Sequence, residues 1–261
     1  MNVLTIAISK GGVGKTLISA NLAAELAKRG HRVTYVDTTG TLHSAKIFNF
    51  KLKENDKTLL DAVVEDLPID AVCYETRIPN LKYVPSNIKI EEYMDINPIA
   101  LIRKLCSIKS EYTFIDAPTI IGTPGILSFG FATHLIIPLD WRALRSILLE
   151  ETINTIEWAY MLQVRPIGFI INFADEKITE NNELISQIST ILELPCLGVI
   201  NEDERVKRSM ENGYLVIEKY PETAFSRTIS NIADYIENNL PEPLKKDQVK
   251  LIEKIIRVKR E

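Results

Sequence analysis

The chain has 261 residues, of which 46% are hydrophobic and 25% charged, a balance that excludes a disordered or collagen-like chain. No apolar run reaches the ~18 to 20 residues of a membrane-spanning helix, and the first eight residues lack the basic flank and cleavage site of a signal peptide. The three cysteines, Cys73, Cys106 and Cys196, form no paired motif, so we expect free thiols in a cytosolic protein.

The net charge of −4 is unevenly distributed. Residues 244–261 carry +4, so the residues before them carry −8. A body this acidic argues against broad nonspecific binding to nucleic acid, and it marks the basic C-terminal segment as a separate unit.

Apolar strand-like runs alternate with helical patterns along the whole chain. We predict strands at 3–8, 32–36, 112–115, 134–138, 166–171 and 196–200, and helices at 16–29, 98–108, 143–162, 178–192, 203–212 and 224–239. The less regular region 41–97 predicts a helix near 58–65 and strands at 71–76 and 81–84. Continuous apolar strands separated by helices are typical of an α/β domain with a mostly parallel β-sheet covered by helices on both faces, here spanning residues 1–240.

A glycine-rich segment directly follows the first predicted strand and opens the first predicted helix. It reads Lys10-Gly11-Gly12-Val13-Gly14-Lys15-Thr16. Its glycines allow a tight turn whose N–H groups point at a phosphate, and the helix N-terminus adds its positive dipole end. In such phosphate-binding loops (P-loops) the lysine reaches the β- and γ-phosphates and the following hydroxyl binds Mg²⁺. The segment therefore predicts a nucleotide site in which Lys15 and Thr16 have these roles.

This loop resembles the deviant Walker A loop of the MinD/ParA family, because lysine stands at position 10 and Ser9 occupies the place of a glycine in the general P-loop pattern. The resemblance extends over about residues 1–240. It implies an ATPase whose cofactors are ATP and Mg²⁺. It also implies that Lys10 crosses a dimer interface to the phosphates held by the other subunit, so that ATP controls homodimerisation, with a protein partner that activates hydrolysis.

The resemblance implies further site residues. Asp116 stands where the family has its Walker B aspartate, which holds Mg²⁺ through water together with Thr16. Asn172 stands where the family has an adenine-reading asparagine, and Asn201 lies in a loop that approaches the adenine ring in relatives. Without the family, Asp116 and Asn172 have a second, less favoured interpretation as turn or cap residues at strand ends. The implied nucleotide-binding set comprises Lys10, Gly11, Gly12, Val13, Gly14, Lys15, Thr16, Leu17, Asn172 and Asn201.

Thr39 departs from the family pattern. Most relatives end the second strand with D-x-D, where the second carboxylate orients the attacking water, but here the chain reads Asp37-Thr38-Thr39. A threonine hydroxyl has almost no basicity near neutral pH, and loss of a general base typically lowers a rate by ~10²- to 10⁴-fold. Either a local shift of Asp37 or the charges of metal and lysines could compensate. The catalytic candidates are Lys10, Lys15, Asp37 and Asp116.

Residues 241–261 form a second predicted unit, a proline-led basic amphipathic helix. Pro241 and Pro243 precede apolar residues at 244, 249, 251, 252, 255, 256 and 258, which cover about half of a helix circumference. Three partners remain open for this helix: an anionic membrane surface, the domain itself or another helix, and nucleic acid such as DNA.

The predicted function is an ATP-gated dimeric switch of the MinD/ParA type that positions or partitions cellular cargo, with slow or partner-dependent hydrolysis. A nucleotide-binding adaptor with little hydrolysis is the first alternative, because of Thr39. A metal-cofactor maturation ATPase is the second, disfavoured because the cysteines are isolated. A small-molecule ligase or kinase on the same fold is the third. The predicted location is the cytosol, with peripheral attachment to the inner membrane surface as the alternative that the C-terminal segment leaves open.

Overall fold

The fold is an eight-stranded sheet, seen in a computed structural model that describes residues 1–87, 97–118, 129–143, 146–179 and 181–244. The strand order is β3-β4-β2-β5-β1-β6-β7-β8, and every pairing is parallel except β3 with β4. The strands are β1 (Asn2–Ile6), β2 (Val33–Asp37), β3 (Tyr74–Glu75), β4 (Leu81–Val84), β5 (Tyr112–Asp116), β6 (His134–Asp140), β7 (Arg165–Ala174) and β8 (Cys196–Asn201).

Helices cover both faces of this sheet. Successive β1 residues point in opposite directions, so Val3 joins one core and Leu4 the other. The described helices are α1 (Lys15–Lys28), α2 (His43–Ile47), α3 (Leu59–Val64), α4 (Pro98–Cys106), α5 (Ser146–Met161), α6 (Glu176–Thr179), α7 (Asn182–Leu192), α8 (Glu204–Asn212), α9 (Val216–Lys219) and α10 (Ala224–Asn239). Side chains of α1, α9 and α10 pack on the Leu4 face, and those of α3, α4, α5 and α7 pack on the Val3 face. The predicted fold class is confirmed.

Several predicted elements differ in detail. Part of the predicted strand 71–76 is a 3₁₀ helix, Ile69–Val72, which follows Pro68, and only Tyr74–Glu75 is extended. The predicted helix 178–192 is two helices, α6 and α7, because the Asn181 side chain accepts a hydrogen bond from the Leu184 N–H and starts α7 afresh. The predicted helix 143–162 begins later, at Ser146, after a 3₁₀ turn, Trp141–Ala143.

The prediction for the C-terminal helix falls almost entirely on residues 245–261, which lie outside the described residues. Within the described ranges, no helix combines the length and the apolarity that a bilayer crossing requires.

Candidate nucleotide site

The glycine-rich loop joins the end of β1 to the start of α1 on the edge of the sheet where the parallel strands end, the usual position of ligands in such sheets. Gly12 and Gly14 have φ of +74° and +92°, which side chains other than glycine adopt with strain. A Cβ on Gly14 would lie 2.5 Å from Asn172 Nδ2, whereas a Cβ on Gly11 would meet nothing within 4 Å. The sequence therefore requires glycine at position 14 for both conformation and space.

The Lys15 side chain folds back over the loop. Its Nζ donates hydrogen bonds to the Lys10 carbonyl at 2.7 Å and to the Ile8 carbonyl at 3.4 Å. Burial lowers the pKa of Lys15, and the nearby Asp116 carboxylate partly opposes that effect. The ammonium is thus held inside the loop, where an incoming phosphate can bind it.

Asp116, the last residue of β5, is only 2% exposed. Its Oδ1 accepts a hydrogen bond from the Thr16 hydroxyl at 3.1 Å, but its Oδ2 has no hydrogen-bond partner. The Tyr35 hydroxyl, which is bonded to Ser19 Oγ at 2.7 Å, also interacts with the Asp116 carboxylate and favours its charged form. Burial, followed by the charge of Asp37, raises the pKa of Asp116 to about 7.

This arrangement fits Mg²⁺. A carboxylate oxygen and a hydroxyl are ligands that Mg²⁺ prefers, and a cation would compensate the unpaired buried oxygen. No group of three or more His, Cys, Asp or Glu able to hold a metal occurs among the described residues. The protein would therefore supply one or two ligands, leaving the others to water and to phosphate oxygens, as is common for Mg²⁺.

Asp37, the last residue of β2, is fully buried and tightly held. Its Oδ1 accepts hydrogen bonds from the Thr39 N–H and hydroxyl, both at 2.7 Å. Its Oδ2 accepts from the Ser44 hydroxyl at 2.8 Å and the Tyr83 hydroxyl at 3.2 Å. A shift of Asp37 towards an attacking water would break these bonds. Sequence reasoning missed Ser44 and Tyr83.

Lys10 lies at the rim of the site, with its side chain about one-third exposed. Its Nζ is 3.8 Å from Asp140 Oδ2, at the end of β6. The Asp140 carboxylate also accepts two hydrogen bonds from the Arg142 guanidinium, at 3.0 and 3.1 Å. Lys10 is therefore paired within its own chain by one long, partly exposed contact, the kind of ion pair that contributes little to stability.

A cavity of about 430 Å³ opens beside the loop and reaches the predicted adenine residues. Asn172 and Asn201 both line it, but each amide already makes hydrogen bonds within the protein. The Asn172 amide donates to the Val13 carbonyl at 3.0 Å and accepts from the Phe173 N–H, and the Asn201 amide donates to Thr179 Oγ1 at 2.8 Å. Asn172 thus also positions the loop.

Sequence reasoning missed two further cavity residues, Arg142 and Phe173. The Arg142 guanidinium carbon lies 3.6 Å above the centre of the Phe173 ring, a cation–π contact. The sequence offered a signal only for Phe173, which directly follows the predicted site residue Asn172; Arg142 follows the end of β6 at Asp140, which was not predicted as a site residue. The remaining lining residues come from the loop, from α1, from β8 and the residues after it, and from α8 and α10, and include Gly12, Gly14, Leu17, Ile200, Val206, Met210 and Phe225.

Comparison with known proteins agrees with this geometry. Residues 4–216 match the CobQ/CobB/MinD/ParA nucleotide binding domain. The chain belongs to this family. An uncharacterised ATP-binding protein of Methanocaldococcus jannaschii is 33% identical over 259 residues, 98% of this chain and 95% of the relative. The ParA family protein of the Chlamydia psittaci virulence plasmid is 25% identical over 253 residues, 92% of this chain and 96% of the relative.

Among solved structures, the septum site-determining protein MinD of Pyrococcus horikoshii, in complex with Mg-ADP, matches with a TM-score of 0.77. The match is 21% identical and covers 91% of this chain and 96% of that one, so it shows a shared fold. The resemblance to the MinD/ParA family is confirmed, and with it nucleotide binding and ATPase character at the level of the family.

Proposed function

We propose that this protein is an ATP-dependent molecular switch of the MinD/ParA type, which dimerises when it holds ATP and thereby positions or partitions a cellular cargo. The observation that carries the proposal is the orphaned buried Oδ2 of Asp116, beside the Thr16 hydroxyl and below the glycine-rich loop. An unpaired buried carboxylate oxygen costs stability unless a ligand compensates it, and a Mg²⁺–nucleotide does so at this position. The names of the septum-site and plasmid ParA relatives suggest the cargo-positioning role.

Each part of the loop has a distinct task in this proposal. The N–H groups of Gly11–Thr16 and Lys15 bind the phosphates, and Thr16 and Asp116 hold Mg²⁺, which neutralises charge on the phosphate oxygens when it is bound. Asn172 fixes the Val13 carbonyl and so shapes the loop beside the cavity, in which the base would lie. Lys10 leaves Asp140 and reaches the phosphates of the partner subunit.

Hydrolysis is slow in this proposal, because neither candidate group can act as an efficient base. Thr39 offers only a hydroxyl that already donates to Asp37, and Asp37 accepts hydrogen bonds at both of its oxygens. The same observation favours the second candidate, an adaptor that binds ATP with almost no turnover. The two candidates differ in their response to an activating protein: hydrolysis by the switch would speed up when such a protein adds a charged group to the site, and the adaptor would not respond.

Light scattering after size-exclusion chromatography tests the proposal, with Mg-ATP, Mg-ADP or no nucleotide and with phosphate release sampled in parallel. We expect a dimer with Mg-ATP and a monomer otherwise, with slow phosphate release. A dimer without phosphate release would favour the adaptor. A monomer in every condition would contradict the dimeric switch.

The role of Lys10 is tested by Lys10→Ala in the same experiment. We expect this variant to bind Mg-ATP but to remain monomeric, because the lysine contributes across the interface. Lys28→Ala, which changes an exposed lysine at the far end of α1, is the matched control and should dimerise normally. If Lys10→Ala dimerises as well as the unaltered chain, the contribution of Lys10 across the interface is wrong.

A further inference from the structure

The outer face of α5 is unusually apolar for an exposed helix. Tyr160 and Met161 are 53% and 66% exposed, and Trp158 and Ile153 are also exposed. These four make up half of the exposed large apolar side chains in the described part of the chain. At 100° per residue they share a face about 160° wide. A cluster of this kind on one helix indicates a contact surface.

The same face is acidic. Glu150 and Glu157 are exposed between the apolar side chains, and the α5 sequence contains no lysine or arginine. The backbone carbonyls at the end of α5 add negative dipole charge next to Trp158 and Met161. The face therefore suits a partner that is both apolar and basic.

The chain leaves the described domain at the edge of the sheet where α5 ends, and it reaches that edge from α10, on the opposite face of the sheet. The His134 ring donates a hydrogen bond from Nε2 to the Pro241 carbonyl at 2.8 Å. His134 is the first residue of β6 and pairs with Arg165, the first residue of β7. Since α5 ends at Met161, four residues before β7 begins, the last turn of α5 and the chain exit lie at the same edge of the sheet.

The segment that follows matches the face in charge, composition and length. Residues 244–261 carry +4 and place apolar residues on one half of a predicted helix. As a helix, residues 245–261 would extend ~25 Å, and α5 extends ~24 Å. The segment contains Val249, Leu251, Ile252, Ile255 and Ile256 and could cover the exposed aromatic and apolar side chains, with its lysines near the two glutamates.

We propose that residues 245–261 fold back as an amphipathic helix onto the outer face of α5. The docked helix runs from the Met161 end of α5 towards Ile153, antiparallel to α5, so that its dipole is also complementary. While it is docked, its apolar residues are shielded from any other surface. A lipid membrane or a second chain that binds this segment must therefore compete with α5.

Trp158 provides a direct test, because the chain has only two tryptophans. In a Trp141→Phe background of the full chain, quenching of Trp158 fluorescence by acrylamide reports whether the α5 face is covered. Adding Ile252→Ser and Ile255→Ser, which remove the apolar side of the segment, should raise the quenching constant about twofold and shift the emission to the red. The matched control, Glu253→Ser with Lys254→Ser, keeps the net charge and should leave the quenching unchanged.

Each result bears on the proposal. Equal quenching in the apolar double variant and in its parent would overturn it. Shielding of Trp158 that disappears on dilution, together with a dimer in light scattering, would show that a second copy covers α5 and would also overturn it. Vesicles containing phosphatidylglycerol should raise Trp158 quenching as they withdraw the segment. Vesicle binding that leaves Trp158 quenching unchanged would mean that the segment was never docked.

Discussion

At the scale of single residues, two carboxylates in neighbouring strands have contrasting environments. Asp37 and Asp116 are directly paired in the register of β2 and β5. The Asp37 oxygens accept four hydrogen bonds, whereas Asp116 accepts one from Thr16 and keeps one oxygen unpaired. Asp37 therefore stabilises the loop after β2, and Asp116 is available to a cation.

Replacing Asp116 by asparagine tests this contrast. Asp116→Asn removes a buried charge, so we expect it to stabilise the nucleotide-free protein by roughly 1–3 kcal/mol and to weaken Mg²⁺-dependent nucleotide binding. Asp37→Asn, the matched variant, should lower the free energy of unfolding by a similar amount. Its amide nitrogen cannot accept the hydrogen bonds that one of the Asp37 oxygens accepts. Urea denaturation measures both, and destabilisation by Asp116→Asn would contradict the assignment.

The stabilisation by Asp116→Asn should depend on pH. The pKa of Asp116 is about 7 in the folded protein and lies near 3.9 in an unfolded chain. Between these values the folded state holds a proton that the unfolded state has lost, so the stability of the unaltered chain falls as the pH rises. The difference between the two proteins should therefore be largest above pH 7 and shrink as the pH falls towards 4.

The rate of the proposed hydrolysis should respond to a substitution at Thr39. Thr39→Asp places a carboxylate at the second position of the D-x-D pattern that the resemblance implies, and it removes the hydrogen bond that the Thr39 hydroxyl donates to Asp37. We expect phosphate release from Mg-ATP to rise by about 10- to 100-fold, somewhat less than the full effect of a general base. Thr41→Asp adds the same charge two residues further on and serves as the control. An equal rise in both variants would indicate a general charge effect instead of water positioning.

Gly14 tests the local shape of the loop. Gly14→Ala places a Cβ against Asn172 at a left-handed backbone position, and we expect a loss of stability of roughly 1–3 kcal/mol together with impaired nucleotide binding. Gly11→Ala has open space around the added methyl and should change the stability by less than about 0.5 kcal/mol. Thermal unfolding of the nucleotide-free proteins measures the difference, and equal losses would contradict the steric argument.

The sequence predicted those residues of the candidate site that belong to a pattern of a few consecutive residues. The loop at 10–16 and Asp116 were found because a glycine-rich turn or an acidic strand end is visible in a few consecutive residues. Ser44 and Tyr83 were not, because Ser44 reaches Asp37 from α2, seven positions on, and Tyr83, 46 positions on, reaches it only after β4 pairs with β2. The contact between Lys10 and Asp140 was missed for the same reason.

At the scale of whole elements, the long apolar strands and helices were predicted well, as was the six-residue α3, but the shorter α2 and α9 were not. α2 and α9, of five and four residues, are too short for a periodic pattern, and α2 follows Leu42, which has a φ of +53°. Pro138 lies inside β6, which pairs with a strand on each side. From the sequence alone, a proline argues against a continuous strand at such a central position. Burial in the surrounding sheet overrides these local preferences.

One ion-pair cluster joins α1 to α10. Arg29, just after α1, donates hydrogen bonds to carboxylates of Glu25, Asp234 and Glu237 and to Ser230. Arg29→Ala should lower the free energy of unfolding by roughly 1–3 kcal/mol, because it leaves three carboxylates close together. Arg32→Ala removes an exposed arginine that lies 3.8 Å from Glu111, and it should have an effect below about 0.5 kcal/mol. Similar losses in urea denaturation for both variants would contradict this role of Arg29.

At the scale of the whole molecule, the candidate site is assembled at one edge of the sheet from residues distant in sequence. β1 leads into the loop, β2 and β5 end at the two carboxylates, and β6 and β7 end at Asp140 and near Asn172. Because the site joins several strands, a ligand bound there should stabilise the entire sheet and not only the loop.

Thermal unfolding with Mg-ADP tests this coupling without requiring dimerisation. At a free ligand concentration of 100 times its dissociation constant, binding adds about 2.7 kcal/mol to the stability of the folded state. For a chain of this size each kcal/mol raises Tm by roughly 2–4 °C, so a single transition shifted upwards by about 5–10 °C is expected. Lys15→Ala should lose most of this shift, whereas Lys28→Ala, at the other end of the same helix, should keep it. If Mg-ADP stabilised only part of the molecule, the unfolding transition would split in two, and the strands would not be coupled through the site.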